Sequence, residues 1–118
     1  MRAVIYKICT RDEWQSACET GVYTGAPVDV ADGFIHFSTD SQMRETAAKH
    51  FAGKTNLVLV EIDSSSLPAD ALKWEPSRGG ALFPHLYADL PTKAAIRVVD
   101  LPWSEGIGHQ FPLELDDG

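Results

Sequence analysis

Long hydrophobic runs are absent from the 118-residue sequence, and none approaches the roughly 20 residues that a membrane-spanning helix needs. The first ten residues hold only a short apolar stretch, which is too short for a signal peptide. Cysteine is scarce as well, because Cys9 and Cys18 cannot form a disulfide framework or a zinc site alone. We therefore expect a cytoplasmic protein with no membrane partner, in which both thiols are reduced and buried.

Basic residues are few: 10 Lys and Arg stand against 17 Asp and Glu, which gives a formal charge of −7. A field of that sign repels phosphate backbones, so general nucleic-acid binding is not expected, although a local basic pocket could still hold one nucleotide. The sequence has no glycine-rich phosphate loop, since Gly79-Gly80 lacks the strand-to-helix context. The four histidines are too widely spaced to indicate a metal site, and we expect no metal.

What the sequence does contain is an ordinary globular balance of 44% hydrophobic and 23% charged residues. The length suits one domain with one core, which we place at residues 1–103. Residues 104–118 mix glycine, proline and acids, and we expect a surface or flexible C-terminal tail there. The sequence carries no signal for an oligomeric state.

The first part of the chain alternates strand and helix signals. Residues 3–8 are apolar and β-branched, as in a strand. Thr10 and Glu13 have the spacing of a capping box, which predicts a helix that ends at Gly21. Trp14 and Cys18 fall on the apolar face of this helix. Residues 22–33 contain Gly25, Pro27 and Gly33 and are interpreted as a surface loop.

Further along, residues 34–38 predict a short strand, and Thr39 with Gln42 predicts a second capping box. The helix that follows is expected to place Met43, Ala47, His50 and Phe51 on one side.

Residues 57–62 are almost all apolar, which is typical of a central strand covered on both faces. Strands are also predicted at 71–75 and 95–101, whereas Pro84 argues against a regular central strand at 81–87. This order, with several strands late in the chain, predicts an α+β fold with mixed or antiparallel sheets.

The segment Gly33–Thr39 is the first candidate for chemistry. His36 lies in the middle of the predicted strand, and Ser38 shares its face. A histidine there can orient a ligand hydroxyl or move a proton. The alternative is a core histidine that is hydrogen-bonded to the backbone.

The second candidate is the segment 74–87, which concentrates aromatic, acidic, basic and imidazole side chains around a Gly-Gly hinge: Trp74, Glu75, Arg78, His85 and Tyr87. Together these side chains could line a ligand cleft, and a structural loop locked by Pro84 is the alternative. On the first strand, Tyr6 and Lys7 could flank the same cleft, although a lysine there is more often a solvated edge residue.

Several of these motifs occur together in a known family. Tyr6-x-Ile8, Trp14, the GFIHFST and LVLVEID segments, and FPHLY resemble the bacterial family known as domain of unknown function 952, over about residues 3–102. That family is similar in fold to the ADP-ribosyltransferases, and the stretch from residue 35 looks like the corresponding part of RNA 2′-phosphotransferases. The resemblance implies an ADP-ribosyltransferase-like fold, with two small mixed or antiparallel sheets around a cleft and flanking helices.

The resemblance also implies NAD as a ligand and a ribosyl transfer or phosphotransferase-like reaction. His36 matches the second motif of the group, and Lys7 falls where the first motif commonly has histidine. No clear equivalent of the third-motif glutamate is present, and Glu75, His85 or Tyr87 could stand in for it. The expected roles are catalytic for His36, Glu75 and His85, and ligand-binding for Tyr6, Lys7, Ser38, Trp74, Arg78 and Tyr87.

Three functions remain open at this point. The first is an enzyme that binds NAD or a related ribosyl nucleotide and acts at the ribose. The second is a non-catalytic module that binds a small metabolite or a peptide on the same fold. The third is a general hydrolase that uses His36 or His85 with Glu75.

Overall fold

The structure is a computed structural model that describes residues 4–77 and 80–111. Its α-helices are short, and one follows each of the first three strands. They are α1 (Arg11–Thr20), α2 (Pro27–Asp32) and α3 (Met43–His50).

The strands are mostly short, and every strand pair among the described residues is antiparallel. They are β1 (Val4–Thr10), β2 (Val22–Tyr23), β3 (Ile35–His36), β4 (Leu57–Asp63), β5 (Leu72–Pro76), β6 (Leu82–Leu86), β7 (Leu90–Pro91), β8 (Ala95–Asp100), β9 (Trp103–Ser104) and β10 (Gly108–His109). The chain therefore forms a small α+β fold built on antiparallel sheets, as its order of strand and helix signals predicted.

The first sheet has the order β1-β4-β8, with the apolar strand β4 in the centre. Val58, Val60 and Ile62 of β4 contribute to one hydrophobic cluster, while Leu57 and Leu59 contribute to a second. The prediction of a central strand covered on both faces is confirmed, because alternating side chains of β4 enter two separate cores.

The second sheet has the order β3-β6-β5 and is joined to the first through the backbone. The Tyr6 N–H donates to the Ser38 carbonyl over 2.7 Å, and the Ser38 N–H donates to the Tyr6 carbonyl over 2.9 Å. Because Ser38 lies two residues after the end of β3, this bridge joins the second sheet to β1.

Segment 22–33 is not the plain surface loop expected from its glycines and proline. Val22–Tyr23 pairs with Leu90–Pro91, and the helix α2 begins at Pro27 and ends before Gly33. Proline is favourable in the first turn of a helix, and Gly33 has the positive φ of 87° that terminates one. Pro27 and Gly33 thus mark the start and the end of a short helix.

Strand β6 corrects a second expectation, because it lies in the centre of its sheet although it contains Pro84. The Phe37 N–H donates to the Pro84 carbonyl, so the side of Pro84 that lacks an N–H faces Phe37. Phe37 lies just beyond the end of β3. The missing donor therefore falls where the neighbouring strand has already ended, and the rest of the ladder is intact.

The caps and the apolar helix faces agree with the sequence in part. The capping box of Thr10 and Glu13 is present, Gly21 ends α1 in the left-handed region, and Trp14 is buried.

Cys9 is buried, but Cys18 is exposed, which corrects the expectation that both thiols are packed. Burial raises the pKa of the Cys9 thiol to about 12.

The second capping box is only half formed. The Gln42 side chain accepts from the Thr39 N–H, but helix α3 begins at Met43 and has no side-chain cap. Met43 and Ala47 are buried as expected, whereas His50 is exposed.

The segment after β8 continues as a hairpin of β9 and β10 that contacts α3, so β8 is not the last strand. Residues 112–118 of the expected tail lie outside the described residues. Among the helices that the structure describes, none is long and apolar enough to cross a membrane.

Removal of the first helix cap should destabilise the protein. Thr10→Ala deletes the hydroxyl that accepts from the Glu13 N–H over 3.0 Å, and we expect a loss of about 1 kcal/mol of unfolding free energy. Chemical denaturation measures this loss, and Thr10→Ser, which keeps the hydroxyl, is the matched control. Equal losses in both variants would show that the cap contributes nothing.

Candidate functional site

His36 and His85 face each other across neighbouring strands. They are register partners of β3 and β6, and their ring centroids lie 5.4 Å apart in an edge-to-face arrangement. Both line a cavity of about 460 Å³, hereafter the main cavity. The neighbouring pair Ile35 and Leu86 points to the hydrophobic core, so strand alternation is what turns both imidazoles to the other face.

Phe34 packs against both imidazole rings. Its ring stacks on His85 with centroids 4.2 Å apart and lies 4.5 Å from His36 and 5.1 Å from Tyr87. Stacking of this kind restricts ring rotation, and the two histidines are therefore held in fixed orientations.

His85 is paired with a carboxylate behind it. Its Nδ1 lies 2.9 Å from Oε1 of Glu75, and the Tyr87 hydroxyl donates to the same oxygen over 2.7 Å. An ionised carboxylate only accepts, so Nδ1 carries the hydrogen and Nε2 is the atom left for other partners. The hydrogen bonds from Tyr87 and His85 lower the pKa of Glu75, and the same bond to Glu75 raises the pKa of Tyr87.

His36 is placed between two carboxylates of very different exposure. Its Nδ1 lies 2.6 Å from Oδ1 of Asp29, and its Nε2 lies 2.9 Å from Oδ2 of Asp32. The side chain of Asp29 is 1% exposed, whereas that of Asp32 is 48% exposed. Both nitrogens of the His36 ring are thus engaged by carboxylates of the short helix α2.

Each carboxylate oxygen of Asp29 accepts two hydrogen bonds. Oδ1 accepts from the backbone and the ring of His36, while Oδ2 accepts from Lys7 Nζ over 2.9 Å and from the Ala26 N–H over 2.7 Å. Burial alone would raise the pKa of Asp29, but the hydrogen bonds from His36 and the charge of Lys7 outweigh it and hold the pKa well below its usual range. Asp29 is thus ionised, its hydrogen-bonding capacity is used within the protein, and it anchors residues that line the main cavity.

Sequence reasoning missed Asp29 because it lies in the segment interpreted as a loop. A signal was present: proline at the first helical position, an acid two residues later and glycine at the end are typical of a short helix. Burial of the acid has no signal in one sequence, since its partner Lys7 lies 22 residues earlier.

The first-strand candidates reach the main cavity, but their polar atoms are engaged. Lys7, expected to bind ligand, is buried, and its ammonium donates to Asp29 and to the His36 carbonyl. Ser38 is hydrogen-bonded to Thr46 over 3.0 Å. Burial, followed by the charge of Glu61, raises the pKa of Tyr6.

The candidate residues of segment 74–87 do not all lie at the main cavity. His85 lines the main cavity, whereas Glu75 and Tyr87 stand behind or beside it and are not part of the lining. Trp74 is 47% exposed and pairs with Pro84, on the opposite face of β5 from Glu75. Arg78 lies outside the described residues. Among the predicted site residues that the structure describes, five therefore line the main cavity: Tyr6, Lys7, His36, Ser38 and His85.

The main cavity is also lined by side chains that the sequence did not single out for binding. These are His50, Phe51 and Lys54, at the end of α3 and in the turn that follows. The lining therefore combines acids and imidazoles from α2, β3 and β6 with an amine and a third imidazole from the end of α3. Over the described residues, no group of three His, Cys, Asp or Glu side chains is arranged to hold a metal ion.

Neutralising Asp29 should destabilise the fold strongly. Asp29→Asn leaves the Lys7 ammonium buried without its counter-charge, and breaking a buried pair costs about 3–5 kcal/mol. Denaturant unfolding at pH 7 measures the loss. Asp70→Asn removes an exposed charge and should change little, so similar losses in the two variants would contradict the role of Asp29 as an anchor.

The stabilisation from Asp29 should also depend on pH. Because its pKa is lowered in the folded protein, the contribution is complete above the unfolded pKa of about 3.9 and is lost as the pH falls below it. The difference in unfolding free energy between the wild type and Asp29→Asn should be constant from pH 7 to about 5 and should shrink toward pH 3. A difference that stays the same down to pH 3 would contradict this linkage.

Comparison with known proteins places these features in a family. Structures of protein CC0527 from Caulobacter crescentus are similar to this chain over nearly their whole length. A crystal structure has a TM-score of 0.90 at 46% identity and covers 97% of this chain and 99% of that chain. A solution NMR structure has a TM-score of 0.80 at 46% identity, with coverages of 98% and 96%.

No curated protein matches this chain. The sequence profile of the family described as "Protein of unknown function (DUF952)" matches residues 8–98. Since this match spans most of the sequence, as the GFIHFST and FPHLY segments indicated, the chain belongs to the DUF952 family.

Proposed function

We propose that the protein binds a ribosyl nucleotide of the NAD type in the main cavity and cleaves it, or transfers from it, at the ribose. The observation that carries the proposal is the pair of facing histidines, of which His85 has a carboxylate on Nδ1 and no hydrogen-bond partner on Nε2 among the described residues. A volume of about 460 Å³ lies within the usual range for small-molecule sites of about 300–1,000 Å³.

The charges of the lining suit the two ends of such a molecule. The ammonium of Lys54 favours the phosphate groups. The carboxylate of Asp32 favours a sugar that develops positive charge, as the ribosyl carbon does when its bond to a leaving base breaks. Phe37 and Phe83 add the apolar surface that a nicotinamide ring requires.

His85 supplies the proton chemistry in this proposal. The C–N bond between ribose and nicotinamide breaks, and nicotinamide departs as a neutral base with the electron pair. Water or another acceptor then bonds to the ribosyl carbon and gives its proton to Nε2 of His85. Glu75 and Tyr87 keep the imidazole oriented, and the negative charge of Glu75 stabilises the imidazolium that forms.

The resemblance to ADP-ribosyltransferases and RNA 2′-phosphotransferases supports the same reading, with two changes of role. Lys7 stands at the first-motif position, but its ammonium is bonded to Asp29, so we assign it to the framework and not to ligand binding. Glu75, the candidate for the third-motif acid, acts through His85, because it is not part of the cavity wall.

A non-catalytic binding module is the second candidate, and one observation favours it. Lys7, Asp29 and both nitrogens of His36 are already paired within the protein, which leaves few free groups for a reaction. In this alternative the ligand is held by the cavity and leaves unchanged.

Incubation with NAD separates the two candidates. If the protein is an enzyme, nicotinamide is released, and His85→Gln should slow release by about 100–10,000-fold, the usual contribution of a general acid–base group. Asp70→Asn, which changes an exposed residue outside the cavity lining, is the control and should retain full activity.

Calorimetric titration with NAD completes the test. Binding with no release, and equal affinity in the wild type and His85→Gln, would favour the binding module. Neither binding nor release at millimolar NAD would overturn both candidates for this ligand class.

A further inference from the structure

Asp32 is the one acid of the main cavity with open acceptor sites. Asp29 accepts four hydrogen bonds and is 1% exposed, and Glu75 is not part of the lining. Within the described residues, the contact that the structure gives Asp32 is one oxygen, Oδ2, against Nε2 of His36. About half of its side-chain surface is exposed, and a carboxylate has about four lone pairs, so both oxygens can still accept hydrogen bonds from a ligand.

The position of Asp32 is fixed from two directions. It is the last residue of α2, whose start is tied to Asp29 through the Ala26 N–H. His36, four residues later, holds the carboxylate from the side, and Phe34 and Asp29 hold His36 in turn. A carboxylate with this support presents lone pairs into the cavity at little entropic cost on binding.

The chemistry of such a group is selective. An ionised carboxylate accepts hydrogen bonds only, so it binds hydroxyl donors and repels phosphate. Two adjacent oxygens match two adjacent hydroxyls, which is how acidic side chains hold a ribose diol in other nucleotide sites. A 2-deoxyribose offers one hydroxyl fewer and leaves one carboxylate oxygen to water.

We infer that Asp32 binds the adjacent hydroxyls of the sugar and makes the main cavity selective for ribosyl over 2-deoxyribosyl ligands. This inference rests on the proposed function, because it assumes that the sugar of a ribosyl compound occupies the end of the cavity next to His36. Since Asp32 is half-exposed, water partly replaces a missing hydroxyl, and the discrimination is moderate.

The test uses two sugars that differ at one atom and need no turnover. Ribose 5-phosphate and 2-deoxyribose 5-phosphate are titrated into the protein and followed by chemical-shift changes or calorimetry. The wild type should bind the ribose compound roughly tenfold more tightly, in line with one hydrogen bond to a charged group. Asp32→Asn should bring the ratio of the two affinities close to one.

Asp70→Asn is the matched control, because it removes one exposed acid away from the cavity and should keep the wild-type ratio. Equal binding of the two sugars by the wild type, binding of neither, or an unchanged ratio in Asp32→Asn would overturn the inference. Failure of the proposed function is distinguishable: a clear ribose preference that depends on Asp32, without nicotinamide release from NAD, removes the reaction and leaves the sugar selectivity.

Discussion

The buried ion pair between Lys7 and Asp29 is the interaction on which the polar half of this fold depends. Lys7 comes from the first strand, Asp29 from the short helix α2, and His36 from the second sheet. Two charges with 6% and 1% side-chain exposure are costly to bury, and only a full set of hydrogen bonds offsets that cost. The four hydrogen bonds that Asp29 accepts meet this requirement. The first strand, α2 and the second sheet are therefore held together around a single carboxylate.

The two histidine–carboxylate pairs of the main cavity differ in a way that gives them different roles. His36 is paired at both nitrogens and shares its carboxylate with a buried lysine, so it behaves as part of the framework. His85 is paired at one nitrogen with a carboxylate that is not itself in the cavity. A fixed imidazole beside one that can exchange a proton is an arrangement suited to holding a ligand and acting on it.

Local signals predicted those elements whose stability is local. Thr10, Glu13 and Gly21 define α1 within twelve residues, and the apolar run of β4 is typical of a central strand. The six residues of α2 could not be predicted with the same ease, because a helix this short is stable only through contacts such as that of Asp29 with Lys7. The resemblance and the clustering of polar residues at 74–87 predict that His36 and His85 serve one site, but their direct pairing depends on a strand register that no local pattern contains.

Pro84 has an effect beyond the strand that contains it. In an antiparallel pair whose first bond runs from the Phe37 N–H to the Pro84 carbonyl, the reciprocal bond would run from residue 84 back to the Phe37 carbonyl. Proline has no hydrogen to give, so the ladder leaves that backbone oxygen without its usual donor. Phe37 also lines the main cavity. Among the described residues, no backbone N–H donates to the Phe37 carbonyl, so the imino acid turns an ordinary sheet position into a main-chain acceptor beside His36.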